Sequence, residues 1–252
     1  MSALPAGTVT FLFTDIEGST QLLRQLGDDY QRVLADQRRI LRETLTGAGG
    51  SEIDTQGDAF FFSYTRARDA VAGAVETQRA LSEHDWPEGV KLRVRMGLHT
   101  GEPAVGEEGY VGLDVVRASR ICAAGHGGQI LLSETTRALL GSDVPDGMTL
   151  RDLGPQSLKD LEDERIYELA ADDGGERFPQ LKTEKPRSGA PSGAEILGAD
   201  FGQRVQDYVA RSLHEAFAPP PPPTRKLPSG LLLGAGAAAI VAIAILVLLL
   251  KL

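Results

Sequence analysis

The chain has 252 residues, which at about 150 per domain is enough for one to two domains. Acidic residues number 35 against 26 basic ones, a net charge of −9, and that argues against a general nucleic-acid binder, which needs a basic surface to displace phosphate counterions. A hydrophobic share of 42% with 24% charged residues excludes disorder of the whole chain, and a lone cysteine, Cys122, excludes an intramolecular disulfide and points to a reducing compartment.

The β-branched and aromatic run Thr8 to Thr14 predicts a buried strand that ends at Asp15. From Thr20 the apolar residues Leu22, Leu23, Leu26, Tyr30, Val33 and Leu34 fall at helical spacing. The pattern resumes at Ile40, Leu41 and Leu45 and stops at the glycines of 47–50. A hairpin follows, with strands over 51–55 and 59–64 around a Gln56-Gly57-Asp58 corner. A second helix covers 66–83, a strand 90–100, a third helix 111–124, a strand 129–133 and a short helix 134–140. Residues 150–153 and 165–169 read as closing strands. Interleaved helices and strands with hairpins among them make an α+β sheet covered by helices.

Beyond residue 171 the composition shifts to Gly, Glu, Lys, Pro and Ser, so 172–198 reads as a flexible linker. Phe201, Val205, Tyr208, Val209, Leu213 and Phe217 then recur as one face of an amphipathic helix over 199–217. The mixed charges on its other face suit protein contact better than lipid. Residues 218–230 are a Pro-rich linker containing the unbroken run Pro219 to Pro223. Leu231 to Leu250 is twenty residues with no polar side chain, and at 1.5 Å per residue a helix of that length spans about 30 Å, a bilayer's hydrocarbon core. Arg225 and Lys226 precede it and only Lys251 is basic after it, so the expectation is a single-pass C-terminal anchor with the N-terminal bulk in the cytoplasm. No basic region precedes an apolar stretch at the N-terminus, so no signal peptide competes with that orientation. Gly230, Gly234, Ala238 and Ala242 would let two such helices approach and dimerise.

Two carboxylates stand out. Asp15 ends the first strand and Asp58 sits in the hairpin corner, so neighbouring strands would bring both to one sheet edge. Mg²⁺ or Mn²⁺ takes one or two carboxylates, backbone oxygens and substrate phosphate oxygens. Aspartate in a turn also serves as a cap or Asx-turn residue, and spacing alone leaves both readings open. No Gly-x-x-x-x-Gly-Lys phosphate loop is present, and no Cys or His cluster has zinc spacing.

The stretches Gly7 to Thr20, Asp54 to Phe61, Arg95 to Glu102, Gly112 to Gln129 and Leu153 to Leu161 resemble, in order, class III adenylyl/guanylyl cyclase catalytic domains, over roughly residues 6–171. The resemblance implies a ferredoxin-like α+β nucleotide cyclase domain that pairs head to tail as a homodimer. It further implies two divalent ions, Mg²⁺ or Mn²⁺, held by Asp15, Asp58 and the carbonyl of Ile16, with ATP or GTP as substrate. Phe13, Gly18, Ser19 and Thr20 would lie along the triphosphate. Arg120 matches the transition-state arginine and Lys159 the lysine that contacts the triphosphate. Three positions depart from the family pattern: Val116 stands where an asparagine orients the ribose, Asp54 where a lysine selects the purine, and Gly109 or Tyr110 where a second selector faces it. The metal half of the site is kept and the base-reading half is not. The expectation is therefore a membrane-tethered cyclase, with a nucleotide-binding domain that does not cyclise as the alternative.

Overall fold

The computed structural model describes residues 4–183, apart from 88, 107, 108, 160 and 162. The amphipathic helix, the Pro-rich linker and the apolar run expected between 199 and 250 lie outside the described residues. Among the described residues, no helix is long and apolar enough to cross a membrane.

The chain begins with β1 (Val9–Ile16), then α1 (Ser19–Leu26) and, after a 3-10 turn over Gly27–Asp29, α2 (Tyr30–Gly47). The hairpin β2 (Ser51–Gln56) and β3 (Ala59–Tyr64) leads to α3 (Ala67–Glu83) and β4 (Val94–Gly101). A small hairpin, β5 (Ala104–Gly106) and β6 (Gly109–Val111), precedes α4 (Leu113–Ala124). The rest is β7 (Ile130–Ser133), α5 (Glu134–Leu140), β8 (Met148–Ser157) and β9 (Asp163–Ala171). One seven-stranded sheet runs β2-β3-β1-β4-β7-β9-β8, antiparallel except for the β4–β7 pair. Its first half, β2-β3-β1-β4 with helical crossovers after β1 and β3, has the β-α-β-β-α-β ferredoxin-like order.

Period-two alternation divides the sheet's side chains between two cores. Leu12, Ile16, Phe60, Phe62, Met96 and Leu98 face α2 and α3 in the larger core. Phe11, Phe13 and Phe61 face the other way, against Val115, Ala118 and Cys122 of α4. Phe13 stacks on Phe61 with ring centroids 4.3 Å apart. Phe11, Phe60 and Phe62 are each 0–1% exposed, and burial of such a side chain stabilises by about 1.5–3 kcal/mol. The helix α4 can ride close to β4 because that strand offers glycine beneath it. A Cβ on Gly97 would lie 2.2 Å from the backbone nitrogen of Cys122.

Several expected elements change on inspection. The helix expected from Thr20 onward is broken at Gly27, whose φ of 55° no β-carbon residue adopts easily, so α1 and α2 are separate. The strand expected from residue 90 starts only at Val94. The β5–β6 hairpin went unseen because its short, glycine-bearing segments show no alternation. Both closing strands are longer than expected, and β8 carries an irregularity between Asp152 and Pro155.

Candidate functional site

Strand β1 delivers Asp15 and Ile16 to the edge where the β2–β3 turn delivers Asp58. The turn is shaped by Gly57 at φ 61° and fastened to α2: Gln37 Nε2 donates to the Asp58 carbonyl at 3.2 Å, and Arg38 Nε to the Gly57 carbonyl at 3.0 Å. The amide of Ile16 donates to Asp58 Oδ2 at 3.2 Å, so strand end and turn are tied through one of the carboxylates. Asp15 and Asp58 are only 4% and 5% exposed.

A third charge completes the cluster. The β1–β4 register sets Arg95 opposite Asp15 on the same face of the sheet. Its Nε donates to Asp15 Oδ2 at 2.9 Å, its Nη2 reaches the same oxygen, and its Nη1 donates to the Ala123 carbonyl of α4 at 3.1 Å. Burial pushes the Asp15 carboxyl up to about 6; Arg95 opposes that rise and the nearby Asp58 adds to it. For Arg95 itself, burial disfavours the charge, but Asp15 more than offsets this and holds its pKa above the ordinary value. Two buried carboxylates lie together and the guanidinium contacts one of them, Asp15, which leaves the cluster short of positive charge. A divalent cation fits that deficit. Among the described residues no group of three or more His, Cys, Asp or Glu converges, so carboxylates alone do not complete a metal's shell here. Asp15, Asp58 and the Ile16 carbonyl would be the protein's share, with phosphate or water oxygens supplying the remainder.

Gly18, at φ 71°, opens α1, whose first turn has no side-chain cap and no acidic residue. The first-turn amides, which include those of Ser19 and Thr20, are oriented to meet an anion. Phe13, two residues before Asp15, is buried in the aromatic stack, in a strand paired on both sides. The Glu17 side chain turns away from the carboxylates, accepting from the Gly127 amide at 3.0 Å and pairing with Lys182. Burial raises its pKa, and those two partners outweigh it, so the carboxyl lies below its ordinary value.

The other candidate residues lie elsewhere. Arg120 is 6% exposed on α4, and Val116 stands one turn earlier, half-buried beside the aromatic core. Asp54 is on β2, level with Phe61, where its two oxygens accept from the Thr55 amide and Gln56 Nε2, both at 2.8 Å. Gly109 begins β6. Tyr110 is fully buried, its ring 5.0 Å from that of Phe11 and its hydroxyl donating to the Pro5 carbonyl at 2.7 Å. The Tyr110 ring and hydroxyl are thus both engaged within the fold, and Gly109 has no side chain to offer. Lys159 is exposed in the connection between β8 and β9.

The family described as adenylate and guanylate cyclase catalytic domain matches residues 1–171. The chain belongs to this family, as a class III cyclase domain. An uncharacterized protein of Mycobacterium tuberculosis is 36% identical over 209 residues, covering 80% of this chain and 69% of that protein. An adenylate cyclase of Podospora anserina is 29% identical over 66% of this chain, though over only 10% of the fungal protein. Among solved structures, an adenylate cyclase of Trypanosoma brucei in its monomeric state superposes with a TM-score of 0.65 at 28% identity, covering 72% of this chain and 97% of that one.

In this cyclase domain, sequence reasoning found both carboxylates and missed their counter-ion. Arg95 begins one of the stretches that resemble the family, but only the strand register shows that it faces Asp15. The contacts of Glu17 were missed as well, since Lys182 falls in a stretch whose composition reads as linker.

Proposed function

We propose that the chain is a membrane-tethered nucleotide cyclase. In this reading it converts a purine nucleoside triphosphate, ATP or GTP, to a 3′,5′-cyclic nucleotide and pyrophosphate as a homodimer. The observation that carries the reading is the charge arrangement at the end of β1: two buried carboxylates, one guanidinium, and an uncapped helix start three residues on. Divalent ions held by Asp15, Asp58 and the Ile16 carbonyl would lower the pKa of the attacking hydroxyl and offset phosphate charge. The first-turn amides of α1 orient the triphosphate. The guanidinium of Arg120 is always charged and binds phosphate oxygens in a fork, which suits charge that builds in the transition state. Lys159, exposed between β8 and β9, reaches the outer phosphates as a point charge.

Pairing of two domains is supported by apolar side chains left at the surface, Val105 of β5 at 50% and Leu113 at the start of α4 at 66% exposure. The apolar run 231–250 would confine copies to one plane and raise their effective concentration, with the catalytic domain on the cytoplasmic side.

Val116 favours a second reading. It cannot hydrogen-bond the ribose, and loss of one transition-state donor costs about 2.7–4 kcal/mol, a factor of 10²–10³. The protein is therefore a slow cyclase, or a domain that binds nucleotide without turning it over. Cyclic nucleotide release by the full-length chain in detergent, with Mn²⁺ and ATP or GTP, separates the two. Product above an Asp58→Ala blank supports the enzyme. Metal-dependent nucleotide binding without product establishes the binding module instead.

A further inference from the structure

The composition of residues 172–183 reads as linker, yet the segment makes a series of specific contacts. Beyond β9 the chain turns at Gly174 and Gly175, and Glu176 pairs with Arg93 at 2.5 Å. The Phe178 ring lies parallel to the His126 imidazole, 8° apart with centroids at 6.4 Å, and faces the Arg93 guanidinium at 5.9 Å. The Gln180 carbonyl is 3.0 Å from His126 Nε2, and Leu181 packs against the cluster of Ile121, Leu131 and Ile166.

Lys182 is the terminus of this series and makes two contacts at once. Its amide donates to the Ala124 carbonyl, the last residue of α4, at 2.8 Å, and its Nζ pairs with Glu17 Oε1. Glu17 directly follows Ile16. It is also held from below, by the Gly127 amide on Oε2 and by its own amide donating to the Arg93 carbonyl at 2.9 Å. One residue thus bridges the end of β1, which carries Asp15 and Ile16, and the end of α4, which carries Arg120 and whose Ala123 carbonyl anchors Arg95.

We infer that residues 176–182 form a strap that fixes the metal end of the sheet, acting through Glu17 as a positioning residue, so that the chain beyond Thr183 is mechanically coupled to the site. The inference rests on reading Asp15, Ile16 and Asp58 as that metal end. Glu17 touches no reacting atom; it sets where Ile16 and the first turn of α1 stand. With the strap docked, the two ends are joined. With it undocked, the Glu17 carboxylate keeps the Gly127 amide and His126 Nδ1, 3.6 Å away, but loses its lysine, and the α4 terminus loses its donor from Lys182.

The test compares the full-length chain with Lys182→Met/Phe178→Ala and with Lys182→Arg. Hydrogen exchange is read at the Glu17 and Gly127 amides, and Mn²⁺ alone is titrated as the probe of the carboxylates. The double variant should raise exchange at both amides by about tenfold while β7 to β9 stay protected, and should weaken Mn²⁺ binding by roughly three- to tenfold. Lys182→Arg should behave as wild type. Unchanged exchange at Glu17 and Gly127 overturns the strap. Raised exchange with unchanged Mn²⁺ affinity overturns its control of the site. Failure of the underlying reading is distinct: wild type would then bind Mn²⁺ no better than Asp58→Ala, and the exchange result alone would decide whether the strap holds Glu17.

Discussion

The end of the sheet proposed to hold metal and the rim proposed to face the base are built to different standards. At the metal end, Asp15 and Asp58 are buried, cross-tied through the Ile16 amide, neutralised in part by Arg95 and braced by Gln37 and Arg38 of α2. At the rim, Asp54 turns its oxygens onto its own strand neighbours, Val116 presents only methyl groups and Gly109 presents nothing. On the proposed reading, the domain keeps what handles phosphate and metal while shedding what recognises the base. Charge chemistry at one end does not require selectivity at the other.

Removing a metal-end carboxylate is expected to have the largest effect. Asp58→Ala should lower product formation by at least a factor of about 10²–10³ with little change in circular dichroism, measured as initial rate with Mn²⁺. Arg95→Met should strip Asp15 of its buried counter-ion and cost about 3–5 kcal/mol of stability, read from the denaturant midpoint. An effect on turnover alone, with stability intact, would show that Arg95 is not the structural counter-ion described here.

The pH dependence sharpens the same comparison, because Asp15 titrates near 6 in the folded protein against an ordinary value of 3.8. Between these values the folded state binds more protons than the unfolded one. The Asp15 contribution therefore destabilises the metal-free fold progressively as pH rises from about 4 to 6, by at most about 3 kcal/mol. On the proposed reading, a cation competes with the proton on this carboxylate, and less so as pH rises past about 6. Mn²⁺ should accordingly raise the melting temperature more at pH 7.5 than at pH 5, and an equal rise at both would contradict the assignment. The smallest effect belongs to the rim. Val116→Asn restores one hydrogen-bonding group and should speed turnover by up to about tenfold, without changing the Mn²⁺ requirement.

Much of the scaffold that carries Asp15 and Asp58 was legible in the sequence. A dense run of β-branched and aromatic residues can hardly be anything but a buried strand, and Gly57 before Asp58 marks a tight corner. What escaped depends on pairing across distance. Arg95 alternates with Val94 and Met96 like any strand residue, and its role appears only once β4 is set against β1. Tyr110 looked as available as Gly109 until the β5–β6 hairpin showed its ring in the core. Lys182 is one lysine in a polar stretch, and no local pattern announces that it meets Glu17, 165 positions away. The break at Gly27 was hidden for the opposite reason: apolar spacing continued straight through it.

Kinetic discrimination between the two purines tests the central contrast most directly. kcat/KM for ATP and for GTP would be measured on the full-length chain with Mn²⁺. A metal end kept without a base-reading rim predicts turnover of both, with values within about tenfold of each other, since no charged or hydrogen-bonding selector separates them. A preference of a thousandfold or more for one purine, or no turnover of either, would contradict the account.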